Sequence, residues 1–133
     1  MITNMTNLSL GDGLPTPVVH NFSPASNGAD GVCRWQDREH NHGVALGFST
    51  VTFSVREPVK AGGVTRVKLT VSIPKLDTTT SVPSLIGVGQ ASAEFIFPGT
   101  YTLQDRKDLR AFMWNTIWTG ALGDNIVEMQ RPY

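Results

Sequence analysis

The chain has 133 residues, enough for one domain with a modest core. Its 11 Lys and Arg balance 11 Asp and Glu, which excludes a strongly basic nucleic-acid binder but not a local basic patch. Charged residues make up 17% of the chain, against ~25% in ordinary soluble domains, and this suits a surface partly hidden by partners.

The single cysteine, Cys33, rules out an internal disulfide framework. No run approaches the ~20 apolar residues needed to span a bilayer, so no membrane partner is expected. The stretch from Met1 to Leu10 is polar and uncharged and does not read as a signal peptide. Sequons at Asn4, Asn7 and Asn21 carry no meaning without a secretory route, and a reducing cytosol is the simplest expectation.

Residues 1–30 are weakly patterned. Gly11-Asp12-Gly13 is a turn signal between strand candidates at 6–10 and 16–21, and Asn27-Gly28 is a second turn. A short strand is expected over 32–36, followed by a polar turn over 37–43. From Ser49 to Arg56 polar and apolar residues alternate strictly, the mark of a half-buried strand. Val51, Phe53 and Val55 share one face, and Thr50, Thr52, Ser54 and Arg56 share the other. Pro58 to Gly63 reads as a hairpin loop. The next strand alternates in the same way. Val67, Leu69, Val71 and Ile73 lie on one side, Arg66, Lys68, Thr70 and Ser72 on the other, and Pro74 is expected to end it.

Residues 75–89 read as a long loop able to take several conformations. A third strand follows, with Ala91, Ala93, Phe95 and Phe97 on one face and Gln90, Ser92 and Glu94 on the other, ended by Pro98-Gly99. The period then becomes helical. Leu103, Lys107, Arg110, Ala111, Trp114, Ile117 and Trp118 recur at three- and four-residue spacings, and Leu109, Phe112 and Met113 widen the apolar stripe. Thr102 and Asp105 form a start resembling a capping box, Gly120 and Gly123 are stop signals, and 124–130 can form a second helix. Strands first and helices last predict an α+β fold: an antiparallel sheet with helices on one face and an open, polar, locally basic face on the other.

Several stretches in this order resemble the coat proteins of levivirus-type single-stranded RNA bacteriophages. They are Asp30-Gly31-Val32-Cys33-Arg34-Trp35, Val51-Thr52-Phe53-Ser54-Val55-Arg56, Val67 through Pro74-Lys75, Ala93-Glu94-Phe95 through Pro98, and Pro132-Tyr133. The resemblance implies a single domain over 1–133, with a hairpin region (1–30), a sheet (31–98) and two C-terminal helices (99–133). It also implies an obligate homodimer, with the sheets joined edge to edge and the helices crossing onto the partner. Dimers of such proteins build an icosahedral T=3 shell, assembled in the bacterial cytoplasm around genomic RNA and, by implication, the phage maturation protein. Many members also repress replicase translation through an RNA hairpin.

Carried over position by position, the RNA face comprises Val32, Thr50, Thr52, Ser54, Arg56, Arg66, Lys68, Thr70, Ser72, Gln90, Ser92 and Glu94. Arg56, Arg66 and Lys68 supply phosphate charge, and the short hydroxyls can line a shallow site for an unstacked base. Family members often place a tyrosine on the third strand to stack a base, worth ~1–3 kcal/mol. Gln90 stands at that position here. Glu94 repels phosphate, but is placed to read a base donor or to pair with Lys68.

Blander readings stand beside these. On periodicity alone the polar face is more often merely solvated, and the resemblance reverses that balance. At helical spacing Trp114 and Trp118 read as core and dimer interface rather than a cofactor pocket. His40-Asn41-His42 lacks a convincing third metal ligand and reads as a solvated loop. Cys33 reads as a buried thiol, and with no cysteine in 75–89 no disulfide-linked shell is expected. Gly87-Val88-Gly89 is not a phosphate loop, since no Lys-Ser/Thr and no helix follow. No enzyme activity, cofactor or metal is expected. Two alternatives stay open: a pure shell protein holding RNA by charge alone, and a small α+β ligand-binding module using the open sheet.

Overall fold

A computed structural model of the protein describes residues 5–27, 31–118 and 122–132, the side chains of Asn27, Asn41 and His42 excepted. The expected turn at Gly28 and stop at Gly120 lie outside the described residues. Six strands follow one another: β1 (Leu8–Gly11), β2 (Val19–Asn27), β3 (Val32–Asp37), β4 (Ser49–Arg56), β5 (Val64–Asp77) and β6 (Ser84–Pro98). They form one sheet in chain order, and the pairings from β1 to β5 are antiparallel. Helices α1 (Leu103–Trp118) and α2 (Gly123–Glu128) come last. This is the α+β meander that the change of period predicts.

The first hairpin starts later than its turn signals indicate. One carboxylate oxygen of Asp12 accepts the backbone N–H of Leu14 (3.2 Å) and of Val18 (3.1 Å), and the Asp12 N–H donates to the Val18 carbonyl (3.0 Å). Pro15 and Pro17, which have no N–H to give a ladder, fall inside the loop so closed. Thr16 therefore belongs to the loop rather than to β2. Further along, the register of β2 on β3 shifts between Pro24 and Ser26, a bulge where proline interrupts the donors.

Strand β4 spans the residues whose alternation announces it. Strand β5 runs on through Pro74 to Asp77, so proline does not end it. The reason is positional. The register pairs Thr50 with Ser72, so Pro74 and the residues after it lie beyond the start of β4 at Ser49. There β4 has ended, and the β4 ladder asks no N–H of Pro74. The strand ends instead where the Asp77 carboxylate accepts the backbone N–H (2.9 Å) and hydroxyl (2.6 Å) of Thr79, a turn that caps the loop 78–83. Gly87 and Gly89 lie in β6. The long loop expected over 75–89 is thus only six residues, 78–83, because both flanking strands are longer than their alternation shows.

The chain divides into two compact units, Met1–Glu57 with Arg66–Glu94 and Pro58–Thr65 with Phe95–Tyr133. In the first, Phe22, Val51 and Leu76 are the buried hydrophobic residues described, and Asp37 and Ser49 are buried with them. The Trp35 indole donates to the Thr6 carbonyl at 2.9 Å, tying the chain ahead of β1 to β3. In the second unit Gly62 takes a positive φ in the turn before β5. A side chain on Gly63 would come within 2.7 Å of Pro58.

Helix α1 opens as the sequence predicts. The Thr102 hydroxyl accepts the Asp105 N–H (3.2 Å), and the Asp105 carboxylate accepts the Thr102 N–H (2.9 Å). Helix α2 begins at Gly123 and stops where Met129 enters the left-handed region. Gly123 therefore opens α2 rather than simply ending α1. A Cβ there would meet the Ile117 carbonyl oxygen at 2.6 Å, so only glycine permits the approach. The Trp114 and Trp118 rings stack at 5.3 Å on one side of α1. No described residue of α1 is buried, and Phe112 is 69%, Trp114 57% and Trp118 67% exposed. The expectation that these side chains form core is not met within a single chain.

Candidate nucleic-acid interface

Directly opposed residues in an antiparallel pair point to the same face, and alternation carries that face along each strand. The β4–β5 register opposes Thr50 to Ser72, Thr52 to Thr70, Ser54 to Lys68 and Arg56 to Arg66. The β3–β4 register adds Val32 opposite Ser54. Nine of the expected residues therefore share one face of three neighbouring strands. Glu94 joins them through an ion pair with Arg66 at 2.9 Å, and Gln90 and Ser92 follow by alternation along β6. All twelve expected positions lie on the same side of the sheet.

The strand neighbours give this face its texture. Two hydroxyl pairs, Thr50 with Ser72 and Thr52 with Thr70, are half-buried across β4 and β5. Arg56, Arg66 and Lys68 are exposed at the other end of the same two strands. Opposing Arg56 to Arg66 places like charges side by side, which destabilises a bare sheet. Glu94 offsets part of that repulsion. It pairs with Arg66, whereas Lys68 was its expected partner. Lys68 lies two residues along β5 from Arg66, on the same face, which is why alternation alone does not separate the two.

Two further residues belong to this face beyond the twelve expected. Arg34 lies opposite Thr52 and Gln36 opposite Thr50. The signal was present in the spacing, since both follow Val32 at intervals of two. Arg34 is half-buried, and its guanidinium donates to the Val32 carbonyl at 3.4 Å. Along β3 to β6 the alternation assigns no aromatic side chain to this face. Phe53, Phe95, Phe97 and Trp35 all take the opposite parity, as does the half-buried Cys33, which lies across from Phe53. Gln90 has no stacking substitute among the described neighbours.

Elsewhere, His40 lies in a short 3-10 turn, His40–Gly43, and no group of three potential metal-ligating side chains occurs among the described residues. No described helix is long and apolar enough to cross a membrane. Distance along the chain concealed one titratable cluster: His20 lies between Asp37 (Nδ1 to Oδ2, 3.2 Å) and Asp12 (Nε2 to Oδ2, 3.1 Å).

A six-strand meander, two terminal helices and one polar basic sheet face define a class of shell-forming proteins, and comparison with known proteins places the chain within it. The levivirus coat protein family matches residues 3–133, and the chain belongs to that family. It is a structural coat protein, not an enzyme. No curated protein matches. Among solved structures, the virus-like particle of bacteriophage ESE058 superposes with a TM-score of 0.87 at 24% identity, over 98% of this chain and 100% of that one. The bacteriophage GA capsid protein superposes at 0.76 with 18% identity over 95% of each chain. An unassembled phage coat protein described as an RNA-binding dimer superposes at 0.68 with 19% identity, over 96% of this chain and 97% of that one. These likenesses carry the fold.

Proposed function

We propose that two copies of this chain form an obligate dimer by joining along β6, with α1 and α2 covering the partner, and that dimers assemble into an icosahedral T=3 shell. The 133 residues act as one coat protein domain. The observation that carries the reading is the pairing of an unused sheet edge with an uncovered helix. β6 is 15 residues long and last in the sheet order, while Trp114, Trp118 and Phe112 of α1 are exposed. A long free edge is a template for another strand, and exposed aromatics at helical spacing need a covering surface. The solved neighbour of the same fold described as an RNA-binding dimer supports the same reading.

The face carrying Val32, Thr50, Thr52, Ser54, Arg56, Arg66, Lys68, Thr70, Ser72, Gln90, Ser92 and Glu94 turns inward and holds genomic RNA, and Arg34 and Gln36 extend it. Assembly takes place in the host cytoplasm, with the maturation protein as a further partner, and a replicase-start hairpin binds the dimer and represses translation. The absence of an aromatic beside Gln90 favours a second reading, in which RNA is held by charge without hairpin preference.

Expression of the chain alone should give particles containing host RNA, seen by electron microscopy and by the ratio of absorbance at the nucleic-acid and protein maxima. A monodisperse monomer at micromolar concentration with no particles would remove the proposal. Binding of the cognate replicase-start hairpin against a scrambled hairpin separates the two RNA readings.

A further inference from the structure

We propose that Asp12, His20 and Asp37 form a pH-sensitive latch that fastens the β1–β2 hairpin to the end of β3, tight while the His20 ring carries a proton and slack once it loses it.

The geometry alone sets the requirement. Both ring nitrogens of His20 face carboxylate oxygens, Nδ1 that of Asp37 at 3.2 Å and Nε2 that of Asp12 at 3.1 Å. An ionised carboxylate only accepts, so both contacts are hydrogen bonds only if both nitrogens carry hydrogen, which is the imidazolium form. A neutral ring donates to one carboxylate and turns a lone pair toward the other. The carboxylates are not free to swing away. Asp37 is buried, and its second oxygen accepts the Glu39 N–H at 3.1 Å. Asp12 is held by the N–H groups of Leu14 and Val18. The charged groups facing the ring are thus Asp12 from the β1–β2 loop and Asp37 from β3. β1 presents Leu10 opposite His20, and β4 presents Ser49 opposite Asp37.

The direction of titration agrees. The bond to Asp12, helped by Asp37 and opposed by desolvation, raises His20 above the ordinary histidine value of 6.5. A raised folded value means the stabilisation is complete below the unfolded value and is lost as pH rises through the folded one. Asp12 is lowered, first by the Val18 N–H and then by His20, so its contribution is present above the ordinary 3.8 and lost as pH falls through the folded value. The latch is therefore tightest at mildly acidic pH, above the ordinary aspartate value of 3.8 and below the ordinary histidine value of 6.5, and slackens as pH rises beyond that.

The test is hydrogen exchange of residues 8–22 in the full chain at about pH 6 and about pH 8.5, corrected for intrinsic rates and referred to β4. In the wild type, protection of the hairpin should fall by about threefold at the higher pH, the size expected of a part-exposed ion pair. In His20→Gln it should not change with pH. In Asp12→Asn the response should shrink, because a neutral ring can donate to Asp37 while accepting from an amide. Equal pH responses in wild type and His20→Gln overturn the latch. So does a His20 titration at or below 6.5 by NMR in the wild-type chain, a measurement that decides the matter even where a variant fails to fold.

Discussion

Arg34 illustrates what a single residue gains from register. By itself it is an arginine in a short strand. Opposed to Thr52, it becomes a half-buried cation on the basic face. Arg34→Ala should weaken RNA binding and reduce the slope of log K against log salt by about 0.7, the share of one single-strand phosphate contact. Lys68→Ala, at an exposed position of the same face, should do the same. Dimerisation should be untouched in both, and a fluorescence salt titration with sedimentation checks each part. The alternation of Ser49–Arg56 made most of this face legible, because period 2 assigns parity without any knowledge of neighbours. Arg34 and Gln36 are harder to read because β3 is only six residues long and its sequence does not alternate cleanly between polar and apolar. The His20 cluster was not legible at all. Its three members stand at 12, 20 and 37, and only strand pairing brings them together.

At the scale of elements, local chemistry was the reliable guide and strand length was not. The Thr102–Asp105 pair predicts the start of α1, and both reciprocal bonds form. Thr102→Ala should cost about 1 kcal/mol, visible as a lower melting midpoint with the far-ultraviolet spectrum of the folded state unchanged. Pro74 misled in the other direction. Proline forbids donation, and that forbids a strand only where an acceptor is waiting. Pro74 lies past the first residue of β4, outside that ladder, and β5 continues to Asp77. The glycines that read as loop signals, Gly87 and Gly89, sit in β6, which has no outer neighbour among the described residues. The result is a short connection, 78–83, between two of the longest strands of the sheet.

Across the whole molecule the informative quantity is apolar surface left uncovered. Phe22, Val51 and Leu76 are the buried hydrophobics described, whereas α1 keeps Phe112, Trp114, Ile117 and Trp118 exposed. The sequence announced an apolar stripe correctly, but a stripe does not say whose surface covers it. In the proposed dimer those side chains find their partner. Trp114→Ala and Trp118→Ala should each weaken self-association by about 2 kcal/mol, as interface aromatics do, which is roughly thirtyfold in the dimer dissociation constant. Analytical ultracentrifugation reads that shift. Unchanged association in both would mean that the helix aromatics are not the seam.

The Arg66–Glu94 pair has a consequence for how such a shell would load its cargo. With Glu94 at 2.9 Å, Arg66 already holds a counterion that belongs to the protein. A phosphate arriving there would compete with a tethered carboxylate that already takes one nitrogen of the guanidinium. The face then behaves as an ion exchanger whose resting form is neutralised from within. An empty dimer is spared part of the repulsion between Arg56 and Arg66, and random polyanions meet a competitor that never diffuses away. If the proposed RNA face is right, an RNA engaging several positions at once would outcompete this exposed carboxylate more readily than an isolated phosphate would, a modest bias toward longer chains.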